Sequence, residues 1–289
     1  MQKTAKTFLL EAFSIYNKNK KILILILVSP LVLMFLSELG IKLVRGNSSP
    51  IMVILFVLLV LVYVTAIFLT ILSQIATIDA IHKIDQNQPV DLKTQYKISL
   101  PLFSPFILLG IITALSAFGS IFLLITPLVY IAYSLAVFVL VIEGKRGLNA
   151  IIGSYSLVKG RMFDVFGKLF FLVFLSLLVY VVIGLITSPI LNSYQGVALA
   201  NAKTIISWVT QLIGLCLITP ISYLYMFGMY KDLKLTASTV ETDEKKLKTW
   251  LKAFICIAII AIISIVIGII LLINSEFFKD FMISLNLKN

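Results

Sequence analysis

Glu143 is followed at once by Gly144, Lys145, Arg146 and Gly147, the densest run of acid, base and glycine in the chain. A carboxylate there can pair with Lys145, Arg146 or Arg161 and so fix the angle of the segment that follows. Glycines in a basic turn expose backbone N–H groups to a phosphate, and a helix starting beside two cations suits a lipid headgroup. Ser154, Lys159 and Arg161 follow closely, so Glu143, Lys145, Arg146, Ser154, Lys159 and Arg161 form a candidate lipid-contact set at the inner membrane interface. No second acid or base lies near Glu143 in sequence, which argues for a structural role over a catalytic one. His82 is the one histidine; with no Cys or second His beside it, it is expected to pair with Asp79 or Asp85 rather than hold a metal. No nucleophile elbow, zinc helix, phosphate loop or paired-carboxylate arrangement is present. No catalytic residue, metal or cofactor is therefore expected.

Uncharged polar residues recur at helical spacing. Ser176, Tyr180, Gly184 and Ser188 are four apart, Thr70, Gln74 and Thr77 mark a second stripe, and Ser207, Gln211 and Gly214 a third. One reading is a polar groove for a headgroup or solute, with Thr70, Gln74, Ser176 and Tyr180 as its lining. The other is helix packing, because small residues permit close approach and hydroxyls bond across helices. Packing is the favoured reading.

The elements that must position these residues are hydrophobic. Of 289 residues, 60% are apolar and 13% charged, well outside soluble norms in both respects. A span needs about 20 apolar residues to cross about 30 Å of hydrocarbon. Ile22–Leu43, Ile51–Ile78, Val165–Ile190, Thr204–Tyr230 and Trp250–Ile273 meet that length, and Leu102–Ile142 is long enough for a hairpin of two spans. Its turn is expected near Gly119 and Ser120, with Pro127 opening the second limb. The fold expected is an all-α polytopic transmembrane bundle of about seven spans.

Charge placement supports that count. The net charge of +11 would raise nucleic-acid binding in a soluble chain, but the bases lie in short segments between apolar runs and accompany no reading module. Alternate segments hold 19 and 5 of the 24 lysines and arginines, which puts the N-terminus in the cytoplasm and the C-terminus outside. A single span at Leu102–Ile142 would erase the bias. The first apolar run follows a long polar lead, contains Pro30 and has no small-residue cleavage site, so it is expected to be a retained anchor in the cell membrane. Cys216 and Cys256 both lie within apolar runs and read as buried hydrophobes.

Three connecting segments carry apolar stripes at helical spacing. They are Phe8, Leu9, Ala12, Phe13 and Tyr16; Leu92, Tyr96 and Leu100; and Leu148, Ile151, Ile152, Tyr155 and Val158. Each is expected to lie in the headgroup plane, facing lipid or the bundle. Each precedes a span, which suggests a unit of surface helix plus hairpin used three times, beginning near Thr7, Asp91 and Gly147.

The stretch Ile142–Gly167, IEGKRGLNAIIGSYSLVKGRMFDVFG, resembles the membrane-domain family of glycerophosphoryl diester phosphodiesterase and related multi-pass bacterial proteins. The residues that carry the resemblance are Glu143, Gly147, Ala150, Ser154, Leu157, Lys159, Gly160 and Phe163. A second match is MFGMYKDLK, where Tyr230, Asp232 and Leu233 fit that family's Tyr-x-Asp-Leu signature at the end of its last shared span. The resemblance implies a bundle of six spans over residues 1–235, with 236–248 as a charged linker and 249–289 as an added span and tail. The family's phosphodiesterase activity resides in a separate soluble domain that is missing here, so neither catalysis nor its metal ligands carry over.

The expected function is that of a non-enzymatic membrane module contacting lipids, anionic headgroups among them, or a membrane-protein partner or second copy. The alternative is a transporter or permease component for a small or amphiphilic solute. No intramembrane carboxylate or base is present for ion coupling.

Overall fold

A computed structural model describes residues 3–44, 49–121, 126–193, 196–236 and 244–273. Among these every regular element is a helix. In chain order they are α1 (Ala5–Val44), α2 (Pro50–Asp85), α3 (Leu92–Ser99), α4 (Phe103–Ile121), α5 (Thr126–Tyr133), α6 (Ala136–Glu143), α7 (Leu148–Val158), α8 (Met162–Asn192), α9 (Gly196–Ile213), α10 (Thr219–Thr236) and α11 (Glu244–Ile273). A single 3-10 turn joins α3 to α4, and a π-helical segment, Gly214–Ile218, joins α9 to α10.

Seven helical stretches of the described residues are long and apolar enough to cross a membrane. The apolar middles of α2 and α8 are almost uncovered by protein. Contiguous exposed surface of that size is untenable in water and ordinary in lipid. The chain is a multi-pass integral membrane protein. The stretch Leu102–Ile142 is divided between α4 and the α5–α6 pair, as expected of a hairpin, and residues 122–125 lie outside the described segments. Residues 45–48, much of the charged linker at 237–243 and the tail at 274–289 also lie outside them.

Gly119 does not make the hairpin turn, because α4 continues to Ile121. Gly119 instead lets α11 approach: a Cβ there would sit 2.1 Å from the Phe254 carbonyl oxygen. Buried Leu251, Phe254 and Ala258 present the matching face of α11. The last span is thus docked on α4 by a small-residue contact.

The first stripe is a second correction. Forty residues of helix rise about 60 Å, twice the hydrocarbon thickness, so α1 must extend well past the bilayer core. Its Phe8, Ala12 and Tyr16 are buried. Phe8 packs edge-on against Tyr225 of α10 and the Tyr16 hydroxyl donates to the Cys216 carbonyl at 2.5 Å. Phe8, Ala12 and Tyr16 are thus covered by α10 and the π-helical segment, while Phe13 of the same stripe is exposed. Continuity with the span also removes any separate surface helix at this position.

Helix α7 is covered in the same way. Ala150, Ile151, Ile152, Gly153, Ser154, Leu157 and Val158 are all buried, so the helix does not float on the headgroups. Gly153 lies against Val139, and Ser154 reaches Ala132 and Leu135, so α7 lies back along α6. The second stripe, on α3, is held by Tyr96, whose hydroxyl donates to the Ile26 carbonyl at 2.8 Å and lies 2.9 Å from the Ser29 hydroxyl. Asp91 caps α3 by accepting from the Thr94 amide at 3.0 Å and its hydroxyl at 2.9 Å.

Candidate functional site

Gly144 ends α6 in the left-handed region at φ 68°, and Gly147 follows at φ 54°. Both conformations favour a residue without Cβ. The turn they make brings Lys145 back onto Glu143, with Nζ 2.9 Å from Oε2. The other carboxylate oxygen accepts from the Tyr230 hydroxyl at 2.7 Å and pairs with Lys234 at 3.0 Å. Glu143 therefore joins α6 to α10. Of the three cations expected for it, Lys145 is the one it takes.

Arg161 goes elsewhere. It pairs with Asp164 at 3.3 Å and Asp232 at 3.8 Å, and donates to the Thr236 hydroxyl. It ties the start of α8 to the end of α10 and is itself largely buried. Lys168 joins the same network through Asp164 at 2.8 Å and lies 5.3 Å over the Phe8 ring. Tyr225 donates to the Lys168 carbonyl at 2.9 Å, closing the junction of α1, α8 and α10.

The stretches Ile142–Gly167 and Met226–Lys234 thus meet in space. Glu143 touches Tyr230, and Arg161 touches Asp232, although each pair is more than 70 positions apart in sequence.

Ser154 is not a lipid contact. Its hydroxyl is fully buried, donates to the Ala132 carbonyl at 2.6 Å and accepts from the Leu135 amide at 3.2 Å. Residues Ser134 and Leu135 interrupt the fourth span between α5 and α6, and Ser154 satisfies backbone groups on both sides of that break. Irregular backbone at membrane depth requires such a partner.

Arg146 is exposed, and among the described residues it makes no ion pair. Lys159 is half-buried at the end of α7. His82 lies 3.0 Å from the Gln86 side chain and edge-on to Phe227, and makes no ion pair with either aspartate expected for it. Asp79 pairs with Lys83 at 2.8 Å, and Asp85 with Lys231 of α10 at 2.6 Å. Buried Gln95 completes the former pair, its amide donating to Asp79 at 2.6 Å and accepting from Lys83 at 3.0 Å.

The stripe of Ser176 and Tyr180 meets the third stripe at Gly214 but does not join that of Thr70 and Gln74. Thr70 donates to Ala66 of its own helix and to Met34 of α1. Gln74 is half-buried on the same helix. Ser176 donates to Leu172, while Tyr180 is 43% exposed and brings its hydroxyl against Gly214. Ser176 borders a small groove of about 60 Å³ that is otherwise lined by α1, α8 and α10 side chains such as Phe13, Val179 and Ile221. Thr70 and Gln74 are absent from that lining.

Sequence reasoning missed Lys168, Tyr225, Lys231 and Lys234. An i,i+4 spacing of Asp164 and Lys168 was the available signal for the first; the others depend on helix pairing. Among the described residues no group of three His, Cys, Asp or Glu side chains could hold a metal.

Comparison with known proteins yields no matching family model, no matching curated protein and no matching solved structure.

Proposed function

We propose that the chain is a non-enzymatic module of the cell membrane whose basic, cytoplasmic end gathers anionic lipid headgroups. One observation carries this reading. At that end most of the described carboxylates are engaged by cations within the protein: Glu11 by Lys3, Asp79 by Lys83, Asp85 by Lys231, Glu143 by Lys145 and Lys234, and Asp164 and Asp232 by Arg161, while exposed Asp91 caps α3 instead. Lys6, Lys18, Lys20, Lys21, Lys93, Lys97 and Arg146 remain exposed and make no ion pair among the described residues. Each cation held near an anionic surface contributes about 1 kcal/mol. The sequence asymmetry of 19 bases against 5 supports the cytoplasmic orientation of this end.

Roles therefore divide within the set expected from sequence. Arg146 belongs to the headgroup-contacting cations, while Glu143, Lys145, Ser154 and Arg161 position the helices that present them. The test is native mass spectrometry of the protein extracted from mixed bilayers, comparing wild type with a variant in which the exposed cations are glutamine. Wild type is expected to retain phosphatidylglycerol in preference to phosphatidylethanolamine, and the variant to lose that preference. Equal retention by both proteins contradicts the proposal. The transport alternative draws no support from the groove beside Ser176, whose lining does not include Thr70 or Gln74.

A further inference from the structure

Hydroxyls within the spans largely satisfy themselves: Thr65, Thr70, Thr77, Ser176, Thr187 and Thr210 each donate to the carbonyl four residues back. Gln211 on α9 does not. Among the described residues its one hydrogen bond runs to the Ser207 hydroxyl one turn back, at 3.5 Å the limit of such a contact. A primary amide has two protons and a carbonyl oxygen to satisfy, so most of its capacity is unused.

The surroundings make that destabilising. Gln211 and Ser207 are exposed, and so are Ile205, Val209 and Leu212 around them. The charge-free stretch Thr204–Tyr230 rises about 40 Å against about 30 Å of hydrocarbon, and Gln211 lies about 10 Å in from its Lys203 end. An unpaired amide at that depth faces lipid tails that offer it no hydrogen bond. The Tyr180 hydroxyl, brought by α8 against Gly214, extends the polar patch by about one turn.

We propose that this face of α9 packs against the same face of a second copy, the two Gln211 amides bonding to each other. Three features select that occupant. An amide both donates and accepts, so two of them related by a two-fold axis satisfy one another with no further group. Copies inserted the same way up, as the lysine bias of the sequence directs, hold Gln211 at one depth. Ser207, one turn away, is small enough for the two helices to approach closely. Lys203 is exposed about two turns from Gln211, where its long side chain can turn to water rather than into the contact.

The full chain, dye-labelled at its N-terminus, is reconstituted into liposomes at falling protein-to-lipid ratios, and copies per spot are counted by photobleaching. Wild type is expected to pass from dimer to monomer on dilution. Gln211→Leu, a good helix former at an exposed position, should need about three- to thirtyfold higher density for half-dimerisation. Crosslinking locates the face with the amide intact. In a chain carrying Cys216→Ala and Cys256→Ala, Ser207→Cys should form a disulfide between copies in the membranes of the expressing cells. Ile205→Cys, almost opposite across the helix, should not. Wild type that stays monomeric at every density overturns the proposal and leaves the amide to lipid. So does a Gln211→Leu variant that dimerises as wild type does, or equal crosslinking at 205 and 207.

Discussion

The basic end of the bundle and the region beside α4 use different polar groups, although each leaves two buried atoms without a hydrogen bond, Arg161 Nε and Asp232 Oδ2 at the first and the Ser116 and Tyr133 hydroxyls at the second. At the basic end carboxylates meet cations within 4.0 Å, and each long-range pair ties one helix to another. Beside α4 the polar groups are uncharged hydroxyls. Charge is affordable where water can reach the helix ends, and it serves there as a fastener. Deep in a span only neutral groups persist, so an unsatisfied one there carries information that a surface ion pair does not.

The comparison is sharpened first by Ser154, where neutral hydrogen bonds hold a buried break. Ser154→Ala strands the Leu135 amide and the Ala132 carbonyl, and should lower stability by about 2–4 kcal/mol, read as thermal unfolding in detergent. A loss under about 0.5 kcal/mol would mean that the break needs no anchor.

Gly119→Leu comes next. Its side chain must displace the Phe254 backbone, and overpacking of this kind costs about 1–3 kcal/mol. A disulfide engineered between α4 and α11 should form in wild type and fail in this variant. Undiminished crosslinking would show that α11 docks elsewhere.

Glu143→Gln is expected to be milder. Both lysines that it releases are about half exposed, so solvent screens them, and the Tyr230 hydroxyl can still donate to the amide oxygen. About 1 kcal/mol is expected in the same unfolding measurement. A loss as large as that of Ser154→Ala would erase the contrast between the two regions.

The smallest effect belongs to Asp91. The Thr94 amide, and then its hydroxyl, hold this carboxyl below its ordinary range. A lowered folded-state pKa means the cap contributes above the unfolded carboxylate value and is lost as pH falls through the folded one. Acid should therefore lower the protection of the Thr94 amide, with exchange rates corrected for their intrinsic pH dependence, in wild type but leave it unchanged in Asp91→Ala.

Span positions were legible because the length of an apolar run and the spacing of lysines report directly on the bilayer. The covering of α1 and α7 was not. Periodicity reveals that Phe8 and Ala12 share a stripe on α1, and Ile151 and Ile152 one on α7, but it is silent on whether lipid or another helix lies against each. Likewise the sequence exposes Glu143 as a lone acid, while its Tyr230 and Lys234 partners depend on how α6 meets α10. Ser154 offered a faint signal, a hydroxyl among apolar neighbours, that served equally for a headgroup contact or a buried bond. Gly119 was read as a turn because glycine does both jobs, and α11 decides which.

The most direct test of the account places a fluorophore on a cysteine at position 146, and separately at position 154, in bilayers containing spin-labelled phosphatidylglycerol or spin-labelled phosphatidylcholine. Strong quenching at 146 by the anionic label alone, with little at 154 from either, is the predicted result. Equal quenching at 146 by both labels would contradict the claim that the exposed cations gather anionic lipid.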